Sequence, residues 1–123
     1  RVAKKENSVI KYESKSAQER YKNYKQNILA NMVHTANMKD SEKIAKILND
    51  TYKTELSQRS RGVKQAGFIV LIGASMPKLL IEMGYITNRQ EASKLKKKWY
   101  REKIARATVK SIIKYKQTVE ATL

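Results

Sequence analysis

One carboxylate interrupts an apolar segment of the sequence. Glu82 is the only charged residue in the run Leu79–Ile86, and it precedes Gly84 by two positions. An ionised carboxylate in apolar surroundings is costly unless it has a partner or a chemical task. Three interpretations stay open on spacing alone: an edge position that reaches solvent, a structural ion pair with Lys or Arg, or a catalytic acid–base at the end of a strand.

Ligands for a transition metal are scarce in the sequence. Cysteine is absent, and His34 is the single histidine. The sequence therefore excludes thiolate zinc sites, disulfides and cysteine nucleophiles. One imidazole cannot complete a three-ligand zinc site. His34 is interpreted either as a structural histidine or as a residue that lines a site near Glu82, and the chain itself is predicted to bind no metal.

Positive charge dominates the composition. The 123 residues carry a formal net charge of +16, with a pI near 10.1. Such a charge predicts attraction to a polyanion, whether nucleic acid, anionic lipid or an anionic cell-wall polymer. Nucleic acid is the less favoured partner because no zinc-finger, RNP or KH signature is present. The apolar runs are also too short for a membrane-spanning helix.

Part of this charge is concentrated near the end of the chain. Seven cations surround Trp99 and Tyr100, and we call them the basic band: Lys94, Lys96, Lys97, Lys98, Arg101, Lys103 and Arg106. The band is either a solvated helix face or a surface that docks on an anionic cell-wall polymer or another partner.

Helical patterns occupy both ends of the sequence. Apolar residues at three-and-four spacing predict a helix from Ser16 to about Val33, and a second that starts with Asp40 or Ser41 as N-cap and ends near Ser57. Thr87 and Asn88, followed by Gln90 and Glu91, predict a capped helix start. The last helix is predicted from about Trp99 to Lys116, with its apolar face formed by Ile104, Ala105, Thr108, Val109, Ile112 and Ile113.

The middle of the sequence is predicted to form strands. Phe68–Ile72 and Leu79–Ile86 are apolar runs without helical period, separated by a turn at Gly73–Pro77, and Ser8–Tyr12 is a shorter β-prone segment. The predicted fold class is α/β, with part of a mixed sheet flanked by helices. Two or three strands cannot bury both faces of a sheet against four helices. Further strands are therefore expected upstream of Arg1.

The same segments carry a family resemblance. Gly62–Leu71 and Ala74–Asn88 resemble the phrase QAGF-x-VL followed by MP-x-LLVE-x-GFISN, the hallmark of the zinc-dependent N-acetylmuramoyl-L-alanine amidases of type 3. The likeness is more specific than a short catalytic motif because it spans two segments and a capping turn. It continues through Arg1–Ile10, which resembles the family's REN-S-V-I segment, and through parts of the later helices.

The resemblance implies a chemistry for Glu82. In this family the glutamate at its position is catalytic, in hydrolysis of the amide between N-acetylmuramic acid and L-alanine of the peptidoglycan stem peptide. Glu82 would act as general base and then general acid on a zinc-activated water. The family holds zinc with two histidines and a glutamate, which we expect upstream of residue 1. The isolated chain is therefore expected to be inactive.

The resemblance also suggests residues for substrate and a setting. Arg61, Lys64 and Gln65 stand in the shared phrase and could hold a stem-peptide carboxylate or a sugar, with Arg61 acting through its bidentate fork; they could equally be turn residues and solvated charges. Residues 1–123 would form the C-terminal portion of a single three-layer amidase catalytic domain, in a bacterial periplasm or at the cell surface. The alternatives are a nucleic-acid-binding module and a non-catalytic wall-binding relative.

Overall fold

The computed structural model shows a chain built from helices. It describes residues 2–32, 36–57, 59–72, 74 and 76–122, with backbone alone at 24–32 and 36. In that part of the chain five α-helices follow one another: α1 (Val2–Asn7), α2 (Lys15–Met32), α3 (Ala36–Leu56), α4 (Arg89–Lys96) and α5 (Lys98–Glu120). None of the described helices is long and apolar enough to cross a bilayer.

The predicted α/β sheet is wrong. No β-strand occurs among the described residues. Ser8–Tyr12 forms a 3₁₀-helix instead of a strand, and Phe68–Ile72 contains a 3₁₀ turn at Ile69–Leu71. The segment Leu79–Ile86 has no regular secondary structure before the turn that precedes α4.

Among the described residues no second extended segment pairs with these apolar runs, which explains why they are not strands. Phe68 (φ −92°, ψ 120°) and Ile72 (φ −68°, ψ 141°) have extended backbone. A strand also needs a second extended segment to pair with its N–H and C=O groups. At this point a side chain provides hydrogen bonds instead, since Asn7 donates through Nδ2 to the Gly67 carbonyl at 2.6 Å. Its Oδ1 accepts from the Ile69 N–H at 2.9 Å.

The helix predictions agree with the structure except at the start of α3 and at the end of α5, which reaches Glu120 and not Lys116. The two predicted helices around Ser16–Val33 and Trp99–Lys116 correspond to α2 and α5. The predicted N-cap at Asp40 or Ser41 is wrong, because α3 already begins at Ala36. Ser41 lies inside the helix, where its hydroxyl donates to the Asn37 carbonyl at 2.6 Å and accepts from the Lys78 N–H at 2.9 Å. The side chains that were predicted to line α2 from residue 24 onward, and part of the turn 73–77, lie outside the described residues.

The chain divides into two compact units. One comprises Arg1–Ser41 and Lys64–Leu80, and the other comprises Glu42–Val63 and Ile81–Leu123. The second unit contains Glu82, and its core joins α3 to α5. Leu56, Tyr100 and Ile104 form the buried cluster, against which Tyr52 and Leu95 pack.

Helix α5 buries a different face from the one predicted. Tyr100, Ile104, Ala107 and Ser111 are buried on it at four–three–four spacing. Ser111 is fully buried, and its hydroxyl donates to the Ala107 carbonyl at 2.7 Å, so the buried polar group has a partner inside the helix. Ile104 was predicted correctly, but Val109, Ile112 and Ile113 are exposed by 55%, 49% and 51%.

Polar contacts also connect α3 and α5. The Thr108 hydroxyl donates to the Ile104 carbonyl at 2.9 Å, so the Tyr52 hydroxyl is the donor in its 2.6 Å bond to Thr108. Burial raises the pKa of Tyr52. Further along, Lys110 pairs with Glu55 and lowers the pKa of that carboxyl.

Candidate functional site

Glu82 lies on the segment that precedes the α4 turn. Its side chain is exposed, as is that of its neighbour Met83. The buried strand position that the sequence suggested is therefore not what the structure shows. Among the described side chains, no ion pair includes Glu82, and its carboxylate faces solvent.

A second carboxylate, Glu91, organises the turn that follows Glu82. Glu91 lies in the first turn of α4 and its side chain is 17% exposed. One of its oxygens accepts from the Arg61 guanidinium at 2.6 Å. The other accepts from the Tyr85 N–H at 2.6 Å. Both oxygens are therefore engaged in short hydrogen bonds, one of which joins two opposite charges.

The position before Tyr85 requires glycine. Gly84 has φ +144°, a backbone conformation that residues with a Cβ rarely adopt. A Cβ placed there would lie 3.0 Å from Oε2 of Glu91 and 3.6 Å from Cδ1 of Leu95. The absent side chain thus lets the Gly84–Tyr85 peptide approach the Glu91 carboxylate.

Asn88 is the N-cap of α4, as the sequence predicted. Its Oδ1 accepts from the N–H groups of Gln90 and Glu91 at 3.0 and 3.2 Å. The Asn88 N–H in turn donates to the Tyr85 carbonyl at 3.0 Å. In the usual capping box the glutamate would bond the N–H of the N-cap residue itself. Here Glu91 bonds Tyr85 instead, so the whole turn from Tyr85 to Asn88 is fixed to the helix start.

Arg61 reaches Glu91 from a separate segment of the same unit. Its guanidinium carbon lies 4.5 Å from the centre of the Tyr85 ring, which is a cation–π distance. Its own segment is held by Ser60, whose hydroxyl donates to the Asn49 side chain on α3 and accepts from the Gly62 N–H at 2.9 Å. The Arg61 side chain is 49% exposed.

The Arg61–Glu91 contact shifts the pKa of both residues. The Arg61 hydrogen bond, and after it the bond from the Tyr85 N–H, lower the pKa of Glu91 below its ordinary value of 4.5. The same bond raises the pKa of Arg61. Near neutral pH the contact is therefore fully ionised.

The remaining predicted site residues are Lys64, Gln65 and His34. Lys64 and Gln65 are exposed and belong to the first unit. His34 lies outside the described residues. Within the described part of the chain, no three His, Cys, Asp or Glu side chains are grouped as a metal site would require. The described residues therefore do not provide the three ligands of a zinc site.

The basic band is partly structural. Arg101 donates through one guanidinium nitrogen to the carbonyls of Leu95 and Lys96 at 2.8 and 2.7 Å, which satisfies the end of α4. Lys98 pairs with Glu102 at 3.7 Å on the helix surface. The other members of the band are exposed, and Trp99, which they surround, is 59% exposed.

Sequence reasoning missed the central position of Glu91. Its place three residues after Asn88 indicated a helix cap and nothing more. Its pairing with Arg61, thirty residues earlier, has no local sequence signal. Gly84 itself was a signal of a close backbone approach, since an isolated glycine in an apolar run often marks one.

Comparison with known proteins identifies the family. The family profile described as N-acetylmuramoyl-L-alanine amidase matches residues 7–114. The chain is 37% identical over 76 residues to the N-acetylmuramoyl-L-alanine amidase LytC of Bacillus subtilis, which covers 62% of this chain and 15% of LytC. It is 33% identical over 90 residues to the N-acetylmuramoyl-L-alanine amidase AmiA of Escherichia coli, which covers 73% of this chain and 31% of AmiA.

A further relative is the germination-specific N-acetylmuramoyl-L-alanine amidase of Bacillus subtilis, 32% identical over 77 residues, which covers 62% of this chain and 32% of the relative. The chain thus spans about a third or less of the length of these proteins. No solved structure matches it. Because the family profile extends over most of the sequence, the chain belongs to the type 3 family of N-acetylmuramoyl-L-alanine amidases.

Proposed function

We propose that this chain is the C-terminal portion of a single catalytic domain that hydrolyses peptidoglycan. The bond cleaved is the amide between N-acetylmuramic acid and L-alanine of the stem peptide. The observation that carries this proposal is the family match over residues 7–114, which includes the segment of Glu82. Relatives that share this region are named as amidases acting at that bond.

In this proposal Glu82 moves the proton. An exposed carboxylate can approach a water molecule and a substrate at the same time, and Glu82 is exposed on its segment. It accepts a proton as the water oxygen attacks the amide carbonyl, and it returns that proton to the amine nitrogen as the C–N bond breaks. One group thus serves both half-reactions, and the carboxylate is regenerated.

Zinc belongs to the proposal as the metal of the family. When bound in such hydrolases it acts as a Lewis acid for the carbonyl and the attacking water. The described residues do not form its ligand set. The share of the reaction that we assign to this chain is therefore the proton transfer at Glu82 and contacts with substrate, with the zinc ligands supplied by other residues.

Substrate contacts are proposed for Arg61, Lys64 and Gln65. Arg61 uses one nitrogen for Glu91 but is half exposed, which leaves further N–H donors for a stem-peptide carboxylate. Lys64 and Gln65 are exposed and offer an ammonium and an amide for the same kind of polar substrate.

The proposed setting follows from the substrate. Peptidoglycan lies outside the cytoplasmic membrane, so we place the protein in the periplasm or at the cell surface of a bacterium. The exposed cations of the basic band would add attraction to an anionic cell-wall polymer in that compartment.

The test uses the complete zinc-loaded polypeptide on purified peptidoglycan, with release of stem peptides as the readout. Glu82→Gln is expected to lower the rate by about 100-fold or more, the usual contribution of a general acid–base group. Glu102→Gln is the matched control, because Glu102 is 52% exposed on α5, and it should leave the rate unchanged. An unchanged rate in Glu82→Gln would refute the proposed role. Binding to peptidoglycan without any release would indicate a non-catalytic relative.

A further inference from the structure

Glu91 joins three segments of the second unit. Its backbone lies in the first turn of α4, one carboxylate oxygen holds Arg61, and the other holds the Tyr85 N–H. Arg61 is fixed in turn by its stacking on the Tyr85 ring at 4.5 Å. A single carboxylate therefore holds the turn that follows Glu82 at its backbone and, through Arg61, at its ring.

A helix cap alone does not account for this arrangement. Asn88 already satisfies the N–H groups of Gln90 and Glu91. A glutamate in the first turn also interacts favourably with the helix dipole, but that effect needs neither Arg61 nor Tyr85. Gly84 has a positive φ of +144°, and this backbone conformation directs the Tyr85 N–H towards the Glu91 carboxylate. The contact thus fixes the backbone outside the helix as well as the helix start.

Glu82 is close to this fixed peptide along the chain. Gly84 is two positions after Glu82, which corresponds to at most about 7 Å of extended backbone. A shift of the Gly84–Tyr85 peptide therefore displaces the backbone that carries Glu82. Displacements of about 1 Å in a catalytic group can cost on the order of 100-fold in rate.

We propose that Glu91 is a positioning residue for Glu82: it fixes the Gly84–Tyr85 peptide against Arg61 and α4, and so sets where the Glu82 carboxylate meets substrate. The proposal rests on the proposed function, in which Glu82 transfers the proton. Glu91 itself touches neither substrate nor the reacting atoms in this scheme. Its lowered pKa agrees with a carboxylate that stays ionised throughout the working pH range.

The experiment compares Glu91→Gln with Glu55→Gln in the complete zinc-loaded polypeptide. Glu55 is the matched control because it is a carboxylate of the same unit that is also paired with a cation, Lys110, on helices away from the turn. We expect Glu91→Gln to lower kcat by about 10- to 100-fold while KM changes less than about twofold. Hydrogen exchange at the Tyr85 amide should become about 10-fold faster. Glu55→Gln should change neither quantity.

Two further variants keep the test decisive if Glu91→Gln folds poorly. Arg61→Lys retains the positive charge but loses the planar fork and its stacking, and Gly84→Ala places a Cβ 3.0 Å from Oε2 of Glu91. Both variants should lower kcat and speed hydrogen exchange at the Tyr85 amide, and the variant with the larger loss of kcat should show the faster exchange.

The outcomes separate this proposal from the one it rests on. If Glu82→Gln abolishes activity while Glu91→Gln lowers only the melting temperature, with kcat per folded molecule unchanged, the positioning role is overturned and the proposed function stands. If Glu82→Gln remains fully active, the proposed function fails and the positioning role fails with it. Loss of kcat together with faster Tyr85 exchange in Glu91→Gln supports the positioning role.

Discussion

The Asn7 side chain donates a hydrogen bond of 2.6 Å to the main-chain carbonyl of Gly67, sixty residues further along the sequence. Its oxygen accepts from the Ile69 N–H at 2.9 Å, so the amide group bonds the backbone on both sides of Phe68. Asn7 and Gly67 both lie in segments that carry the family resemblance. The contact therefore ties two family segments together within the first unit.

Asn7→Ala is expected to loosen this attachment. Each hydrogen bond contributes about 1 kcal/mol net, so the two together predict a loss of about 2 kcal/mol of local stability. The measurement is hydrogen exchange at the Ile69 amide, which should become about 30-fold faster because that loss corresponds to such a ratio. Asn23→Ala, an exposed position on α2, is the control and should leave this amide unchanged. Equal exchange in both variants would contradict the role of Asn7.

The Asn7 contact also shows why strand prediction failed. Only Phe68 and Ile72, at the two ends of the predicted strand, have extended backbone, and Ile69–Leu71 between them form a 3₁₀ turn. Whether an extended segment becomes a strand depends on a pairing partner that can lie anywhere along the chain. For this segment the partner is a side-chain amide, and no periodicity in 68–72 encodes that.

Helices were easier to predict because their hydrogen bonds are local. The bounds of α2, the start of α5 and the Asn88 cap follow from spacing and from cap chemistry. The buried face of α5 was harder to predict, because two neighbouring stripes of the helix could both have faced a core. Small residues at 107 and 111 and the partners Tyr52 and Leu56 decided between them.

The choice between these two stripes can be tested by cavity formation. Ile104 is 3% exposed and Ile113 is 51% exposed on the same helix. Ile104→Ala should lower the free energy of unfolding by about 2–4 kcal/mol, because it removes buried methyl groups and leaves a cavity. Ile113→Ala makes the same chemical change on the exposed stripe and should cost less than about 0.5 kcal/mol. Denaturant unfolding of the complete polypeptide measures both, and equal losses would show that the predicted stripe is buried after all.

The Arg61–Glu91 contact predicts a pH dependence with a definite sign. The folded-state pKa of Glu91 lies below its ordinary value of 4.5. The stabilisation is therefore complete above about pH 4.5, and it is lost as pH falls from there through the lowered folded pKa, since the unfolded chain takes up the proton first. The charged groups that act on Glu91 are Arg61 and Lys94.

Protection of the Tyr85 amide against exchange should accordingly fall below pH 4.5, after correction for the intrinsic rate. Glu91→Gln should remove that additional fall. Glu55 also has a lowered pKa because of Lys110, so Glu55→Gln is the necessary control and should keep the pH dependence at Tyr85. A profile that does not differ between wild type and Glu91→Gln would contradict the assignment.

For the candidate site, sequence reasoning reached the residues but not their connections. Glu82 and Arg61 were selected from the apolar context and the family phrase, and the structure places both in the second unit. The Glu91 contact between the Arg61 segment and the Tyr85 turn is a tertiary relationship across thirty residues. Such a contact depends on how α3 and α5 pack, which determines where Ser60 and its neighbours lie.

The basic band yields a prediction about anionic polymers. Arg101 binds carbonyl groups at the end of α4, and Lys98 pairs with Glu102. Lys94, Lys97 and Arg106 are other exposed cations of the band. Replacing these three by Gln should lower the salt concentration at which the protein elutes from an immobilised anionic cell-wall polymer, since fewer counterions are displaced on binding.

The matched control for the band is the triple replacement of Lys4, Lys5 and Lys15 by Gln, three exposed cations of the first unit. Both variants remove the same charge from the +16 total, so a general charge effect would shift elution equally. A larger shift for the band variant would locate the binding surface around Trp99, because local charge density then decides retention. Equal shifts would mean that the band is a solvated face. Equal retention of both variants on duplex DNA and on the wall polymer would mean that the attraction reflects net charge and carries no selectivity for the cell wall.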